Sequence, residues 1–302
     1  MSYISTSEFV SSGHPDRVSD NIAACLIDKI QKKDGKNSHA AVEVFLTHRS
    51  VIFGGEVTTT LDITPEVLLD CVWTGFNRSG YFLESRKFWS KEELALPNDL
   101  EIVNQLEKQS PDIALGTTDR GDESGWNDQG VYFSSSENSF SRQGYPMLLA
   151  QQISDKLTQM SRVSVLGTSW DEPPLRNGYG SDNKVNVSML VKDDGFTPEL
   201  ATAITIAVPH TSDADVEDVR KEVIQVVARL LANNNVPIAP NFKWVINGTG
   251  RFVQHGCISD CSMTGRKISV NHPSAGPVWA NKMIGGGSLV KPWHASDLIL
   301  NI

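Results

Sequence analysis

Cysteine is scarce in this chain. Its four thiols, Cys25, Cys71, Cys257 and Cys261, are spread over 302 residues with no C-x-x-C spacing. Cys257 and Cys261 alone are too few for a zinc site, and unpaired thiols fit a reducing compartment, so a cytoplasmic location is expected. No apolar run is long enough to cross a bilayer, and the N-terminus shows no basic segment followed by an apolar one. A membrane span and a secretory leader are therefore not expected. Positive charge is also in deficit, with 27 Lys and Arg against 36 Asp and Glu and a net charge of −9. That balance argues against nucleic acid or an anionic membrane as partner, and an anionic ligand would need local basic residues and metal ions. Neither a Walker P-loop nor a G-x-G-x-x-G fingerprint is present. What remains is ordinary globular composition, 39% hydrophobic and 21% charged, in a chain long enough for two or three domains.

The stretch from Ser11 to Arg17 lies where a short N-terminal strand hands over to a helix. Val18, Ile22, Leu26 and Ile30 then recur every fourth residue, an amphipathic stripe. Pro15 and Asp16 suit a first helical turn, which places His14 just ahead of the helix N-terminus. Such an end attracts anions, so His14 either meets a phosphate-bearing ligand, with Asp16 holding its metal, or is an exposed histidine in a surface turn. Residues 40–46 and 51–57 read as paired strands joined by His48, Arg49 and Ser50. Each carries a carboxylate among apolar neighbours: Glu43 suits a cation and Glu56 an ammonium group, unless both point to solvent from edge strands.

Pro65 to Phe76 reads as a helix with Val67, Leu68, Cys71 and Val72 inward. After Gln109-Ser110-Pro111-Asp112-Ile113, residues 114–127 lack any hydrophobic period and read as an active-site lid or a surface loop, ahead of a strand-like Val131-Tyr132-Phe133. A long helix is expected from about Pro146 with Leu148, Leu149, Ile153, Leu157 and Met160 inward, then a loop over 167–181. Strands follow at 184–191 and 204–208, and a helix carries Val216, Val219, Val223, Val226, Val227 and Leu230. The strand–strand–helix order thus repeats, hinting at duplication without a sequence repeat. Asp182 and Lys184 sit at a strand entrance, where Lys184 is a phosphate contact or a solvated end. Gly248 to Val253 offers glycine backbone with Arg251 and Phe252, a cation and a flat face for a base. Asp260 and the run Thr264-Gly265-Arg266-Lys267 add a carboxylate and phosphate contacts. Gly285 to Lys291, with Ser288 and then Asp297, is a second glycine-rich candidate or a flexible tail.

Taken together, these pieces resemble S-adenosylmethionine synthetases (methionine adenosyltransferases). Six segments match in the family's order: Ser7-Glu8 with Val10-Ser11 and Gly13-His14-Pro15-Asp16; Gly54-Gly55-Glu56-Val57-Thr58-Thr59; Gln109 to Ile113; Asp128-Gln129-Gly130; Gly250-Arg251-Phe252-Val253; and Thr264 to Ile268. The resemblance implies an α+β fold of pseudo-threefold-related sheet-plus-helix domains with the third cut down. It suggests a first domain at 1–112, a mobile loop at 113–127, a central domain at 128–254 and a shortened C-terminal one at 255–302. The implied reaction joins ATP and L-methionine: the thioether sulfur attacks the ribose 5′ carbon, and the released tripolyphosphate is cleaved to pyrophosphate and phosphate.

By position the resemblance implies roles for individual residues. His14 would stabilise the departing oxygen; Lys184, Arg266, Lys267 and Lys291 would surround the phosphates; and Asp182, Arg251, Phe252, Asp260 and Ser288 would contact the nucleotide. Glu56, Gln109 and Asp260 would bind methionine. Asp16 and Asp297 would hold two magnesium ions and Glu43 a potassium ion, with Glu8 nearby on the phosphate or magnesium side. A homodimer with its sites between subunits is implied. Some positions depart from the family pattern: Arg17 replaces a lysine, Gly125-Trp126-Asn127 replaces Gly-Ala-Gly, and a second lysine expected after Lys291 has no counterpart, leaving His294 as candidate stand-in. These departures keep open a second reading, a non-catalytic nucleotide-binding partner of a full-length synthetase.

Overall fold

A computed structural model describes residues 2–35, 38–111, 145–166, 178–193 and 197–267. The lid expected at 113–127, the strand at 131–133, and Ser288, Lys291, His294 and Asp297 lie outside them.

The first helix, α1 (Pro15–Asp34), forms for the reasons its sequence suggests. His14 is the N-cap, accepting from the Asp16 amide, Pro15 opens the first turn, and Lys32 and Lys33 close the last one. Its stripe is fully buried, with Val18, Ile22, Leu26 and Ile30 at most 1% exposed. Each such side chain contributes roughly 1.5–3 kcal/mol by leaving water. The second helix, α2 (Pro65–Arg78), is capped by Thr64, whose side chain accepts from the Val67 amide; Leu68, Cys71, Val72 and Phe76 face the core. Val67 is only partly buried, on the flank of that stripe. The two helices touch backbone to backbone where Gly75 meets Ile22: a β-carbon at 75 would stand 2.8 Å from the Ile22 nitrogen.

These helices cover one face of a sheet built from β2 (His39–Leu46), β3 (Ser50–Thr58), β4 (Glu101–Lys108) and the two-residue β8 (Ser262–Met263), in the order β4-β3-β2-β8. A second sheet holds β1 (Ser2–Val10), β5 (Lys184–Lys192), β6 (Pro198–Ala207) and β7 (Ile238–Ile246), in the order β1-β5-β6-β7. Its core includes α3 (Tyr145–Leu166) and α4 (Val216–Asn233). On α3 the inward stripe starts at Met147, fully buried, while Leu148 is only partly so, because the buried row runs through Ala150, Ile153, Leu157 and Met160.

The suspected duplication is visible in the topology. α1-β2-β3-α2-β4 and α3-β5-β6-α4-β7 share one element order, and in both an antiparallel pair (β2 with β3, β5 with β6) is followed by a parallel strand. Each unit then takes its fourth strand from elsewhere in the chain. β1 pairs antiparallel with β5, and β8 pairs antiparallel with β2. The described residues up to 111 therefore feed both sheets. β2 and β3 lie inside their sheet, so Glu43 is exposed and Glu56 partly buried on its outer face, not buried among apolar side chains and not on edge strands.

A buried polar seam joins the two units. The Ser11 hydroxyl donates to the Ser181 carbonyl at 2.6 Å and accepts from the Asn183 amide at 3.0 Å. Ser181 donates to the Gly80 carbonyl at 2.9 Å, and the Tyr81 hydroxyl donates to the Gly13 carbonyl at 2.5 Å. Gly13 has no room for a side chain, since a β-carbon there would lie 2.4 Å from the Ser181 carbonyl oxygen.

Candidate active site

The end of α1 nearest this seam collects the charged residues. Asp16 is completely buried, and its two oxygens are divided among three partners. Oδ1 accepts the Met263 amide at 3.0 Å and lies 3.6 Å from Arg266 Nε, while Oδ2 takes Lys267 Nζ at 2.5 Å. One turn along, Asp20 Oδ1 accepts the Gly265 amide at 2.8 Å, and Oδ2 faces Arg17 at 3.6 Å. The turn Thr264–Lys267 is also tied to the sheet: Thr264 Oγ1 donates to Glu43 Oε2 at 2.5 Å and accepts the Val44 amide at 3.0 Å. Gly265 adopts a left-handed φ of 83°, which suits glycine. Three carboxylates from α1 and β2 therefore hold a turn more than two hundred residues away.

His14 is largely buried and neutral. Its Nδ1 accepts the Asp16 amide at 3.2 Å, so the ring proton resides on Nε2. Burial, and after it the Lys267 charge, lower its pKa to about 4; the charges of Asp260 and Lys184 also reach it. Lys184 stands at the start of β5, half exposed, with Nζ 2.9 Å from Glu8 Oε2, and Asn186 donates to the same oxygen at 3.1 Å. Asp182 accepts the Gly256 amide at 3.1 Å, and burial pushes its pKa up to about 7, partly opposed by that bond. His14, Asp16, Asp182, Lys184, Asp260, Arg266 and Lys267, with Glu8 and Glu43 at the margin, thus form one neighbourhood.

Other candidates have different partners. Arg251 is exposed and donates to the Ser212 carbonyl, while the Phe252 amide donates to His210 Nε2 at 3.2 Å. Gln109 extends from the end of β4, its amide on the Val57 carbonyl at 3.1 Å and its side-chain oxygen accepting from Thr58 at 3.1 Å. Glu56 lies beside Glu107 across the β3–β4 pair. Among the described residues no hydrogen bond or ion pair joins Glu56 or Gln109 to the His14 group.

Sequence reasoning passed over Asp20 and the Ser11–Ser181–Asn183 seam. Asp20 had a signal, because it lies four residues after Asp16 on one helix face. The seam had none, since it pairs residues about 170 positions apart.

The model for the S-adenosylmethionine synthetase N-terminal domain matches residues 2–111. An S-adenosylmethionine synthase from Acholeplasma laidlawii is 32% identical over 90% of this chain and 66% of its own length. One from Fusobacterium nucleatum is 32% identical over 88% of this chain and 62% of its own. A solved structure titled as an unusual S-adenosylmethionine synthetase from Campylobacter jejuni superposes with a TM-score of 0.72 at 28% identity, covering 96% of this chain and 68% of that one.

Residues 2–111 belong to the S-adenosylmethionine synthetase N-terminal domain family, and most of the chain is similar to whole S-adenosylmethionine synthases. The chain spans slightly less than two thirds of the length of the two synthases above. Its described fold, mixed α and β with two like units, is that of the synthetase structure it superposes on. No group of three or more His, Cys, Asp or Glu side chains that would enclose a metal ion occurs among the described residues. Asp16 still offers the hard carboxylate oxygens that magnesium prefers, a pattern in which one or two carboxylates and substrate phosphates complete the shell. It is the one expected magnesium ligand among the described residues, and its oxygens here meet the Met263 amide and Lys267. Glu43, exposed beside Thr264, supplies an oxygen donor of the kind potassium takes. No helix of the described residues is long and apolar enough to cross a membrane.

Proposed function

We propose that this chain makes S-adenosyl-L-methionine from ATP and L-methionine, releasing tripolyphosphate and cleaving it in the same site. The observation that carries the reading is the neutral imidazole of His14, its Nε2–H without a hydrogen-bond acceptor among the described residues, placed beside the Asp16–Lys267 pair and Arg266. A thioether is already a good nucleophile, so the protein's task is alignment and stabilisation of charge on the leaving triphosphate.

As the bond between the ribose 5′ carbon and the bridging oxygen breaks, negative charge grows on that oxygen. A neutral histidine donating from Nε2 stabilises it without competing for the metal. Lys267 and Arg266 are preorganised by Asp16, and Lys184 by Glu8, so their charges need little rearrangement as the phosphates arrive. Magnesium held through Asp16 would supply charge neutralisation on the phosphate oxygens. Arg251 and Phe252 would contact the nucleotide, Glu56, Gln109 and Asp260 the methionine, and Glu43 a potassium ion. Because no hydrogen bond or ion pair among the described residues joins Glu56 or Gln109 to the His14 group, a second subunit placing them against it completes the site, and the working form is a homodimer. Ser288, Lys291 and Asp297 would complete the phosphate and metal contacts.

The test incubates the purified chain with ATP, methionine, magnesium and potassium, following S-adenosylmethionine and phosphate separately. Both products support the full reading. S-adenosylmethionine with accumulating tripolyphosphate limits it to the first step. No product alone, but altered output on mixing with an intact synthetase, replaces it with the partner reading, which the missing second lysine after Lys291 favours.

A further inference from the structure

Cys25 on α1 and Cys71 on α2 lie in the core, 5% and 0% exposed, and take no part in the site described above. The helices cross at Ile22 and Gly75, where the missing side chain lets the backbones meet. One turn from that crossing in each helix, three residues on from Ile22 and four back from Gly75, stand the two thiols. Asn21 donates to Ser79 Oγ at 2.8 Å on one side of that level and Lys29 Nζ lies 2.7 Å from Asp70 on the other, so the two thiols face each other between these pairs. Among the four cysteines, these are the pair that two facing helices hold in contact.

We propose that Cys25 and Cys71 are an oxidation site, converted by a small hydroperoxide into a disulfide that ties α1 to α2. Cys25 is the entry point, being the more exposed of the two. The neighbouring Cys71 thiol, with the Arg78 and Lys29 charges and against the effect of burial, lowers the Cys25 pKa to about 7, while Cys71 is held protonated. The Cys25 thiolate attacks one peroxide oxygen, breaking the O–O bond, giving a sulfenic acid and releasing hydroxide, which takes up a proton to become water. Cys71 sulfur then attacks the Cys25 sulfur, expelling its hydroxyl as a second water with the Cys71 proton. Two thiols are oxidised and one hydrogen peroxide is reduced to two waters. The product closes the long loop between the helices and restricts the unfolded chain.

The full chain, reduced and freed of reductant, would be treated with hydrogen peroxide, denatured, alkylated and mapped without reduction. The expected result is a mass loss of about 2 Da, as a thiol pair gives up two hydrogens. A linked peptide joining Cys25 to Cys71 and an upward shift of the melting temperature that dithiothreitol reverses should accompany it. Cys25→Ser should abolish the link, and a Cys257→Ser, Cys261→Ser double variant should retain it. Sulfinic adducts at Cys25 with Cys71 still alkylated, or a mass loss that persists in Cys25→Ser, overturns the proposal. None of these readouts depends on catalytic activity.

Discussion

The main-chain amide of Gly265 donates to Asp20 Oδ1 at 2.8 Å, across nearly the whole described chain. Through that bond an α1 carboxylate sets the position of the turn bearing Arg266 and Lys267. Under the proposed function, Asp20→Ala should misplace both cations and lower kcat on the order of 10²-fold, the usual consequence of a displacement near 1 Å. Asp20→Asn keeps an acceptor for Gly265 and should fall much less. Equal losses in the two variants would show that charge opposite Arg17, and not the turn's anchorage, is what matters.

Asp20 also predicts a pH effect on stability. Burial raises its pKa from 3.8 to about 6, against the opposing Arg17 charge and Gly265 bond, with Asp16 and Glu43 adding to the rise. The folded chain therefore holds this proton more tightly than the unfolded one. The stability involved is present below pH 3.8 and lost as pH rises through about 6, on the order of 3 kcal/mol at 1.36 kcal/mol per unit. Denaturation midpoints of Asp20→Asn relative to the parent should improve between pH 4 and 7. A pH-independent difference would contradict the assignment.

His255 works in the opposite sense. It is completely buried, its Nδ1 bonded to the Val253 carbonyl at 2.9 Å, and burial lowers its pKa from 6.5 to about 4. Stability from keeping it neutral is present above pH 6.5 and lost as pH falls through about 4. His255→Gln should flatten the acid limb of the stability profile, measured by chemical denaturation. An unchanged acid limb would move the cause to other groups, His14 first.

Lys184 is half exposed and leans on Glu8, so its removal should cost the fold little. Under the proposed function Lys184→Met should lower kcat by about 10²–10³-fold, the size of losing one preorganised charge contact. Melting temperature and activity measured on the same preparation separate the two effects. Retention of most of the rate would remove Lys184 from the phosphate site.

Gly13 tests the seam. Gly13→Ala would drive a β-carbon to 2.4 Å from the Ser181 carbonyl oxygen and should destabilise by roughly 1–3 kcal/mol or more, as overpacking does. Ser181→Ala in the same background should relieve little, because the clash is with backbone. Full recovery would locate the strain in the Ser181 side chain instead.

Local pattern carried much of what the structure displays. The α1 stripe, its cap at His14, the β2–β3 pair and the α4 stripe were legible because helix and strand periods and capping chemistry act over a few residues. The ordered motifs brought His14, Asp16, Lys184, Arg266 and Lys267 forward as candidates for one site. Residues 101–108 and 238–246 left no clear signal. Their side chains are mostly exposed or partly buried, so the alternation that marks a half-buried strand is weak in them.

Sequence alone determined which residues are helical, which are apolar and which family they resemble, since these follow from neighbours in the chain. Tertiary structure alone decided that β1 crosses to the sheet of β5, that β8 returns to β2, and that Asp16, Asp20 and Glu43 share one distant turn. Strand exchange and carboxylate-to-amide bonds over more than two hundred residues depend on which surfaces meet after the cores have packed, and no local period encodes that meeting.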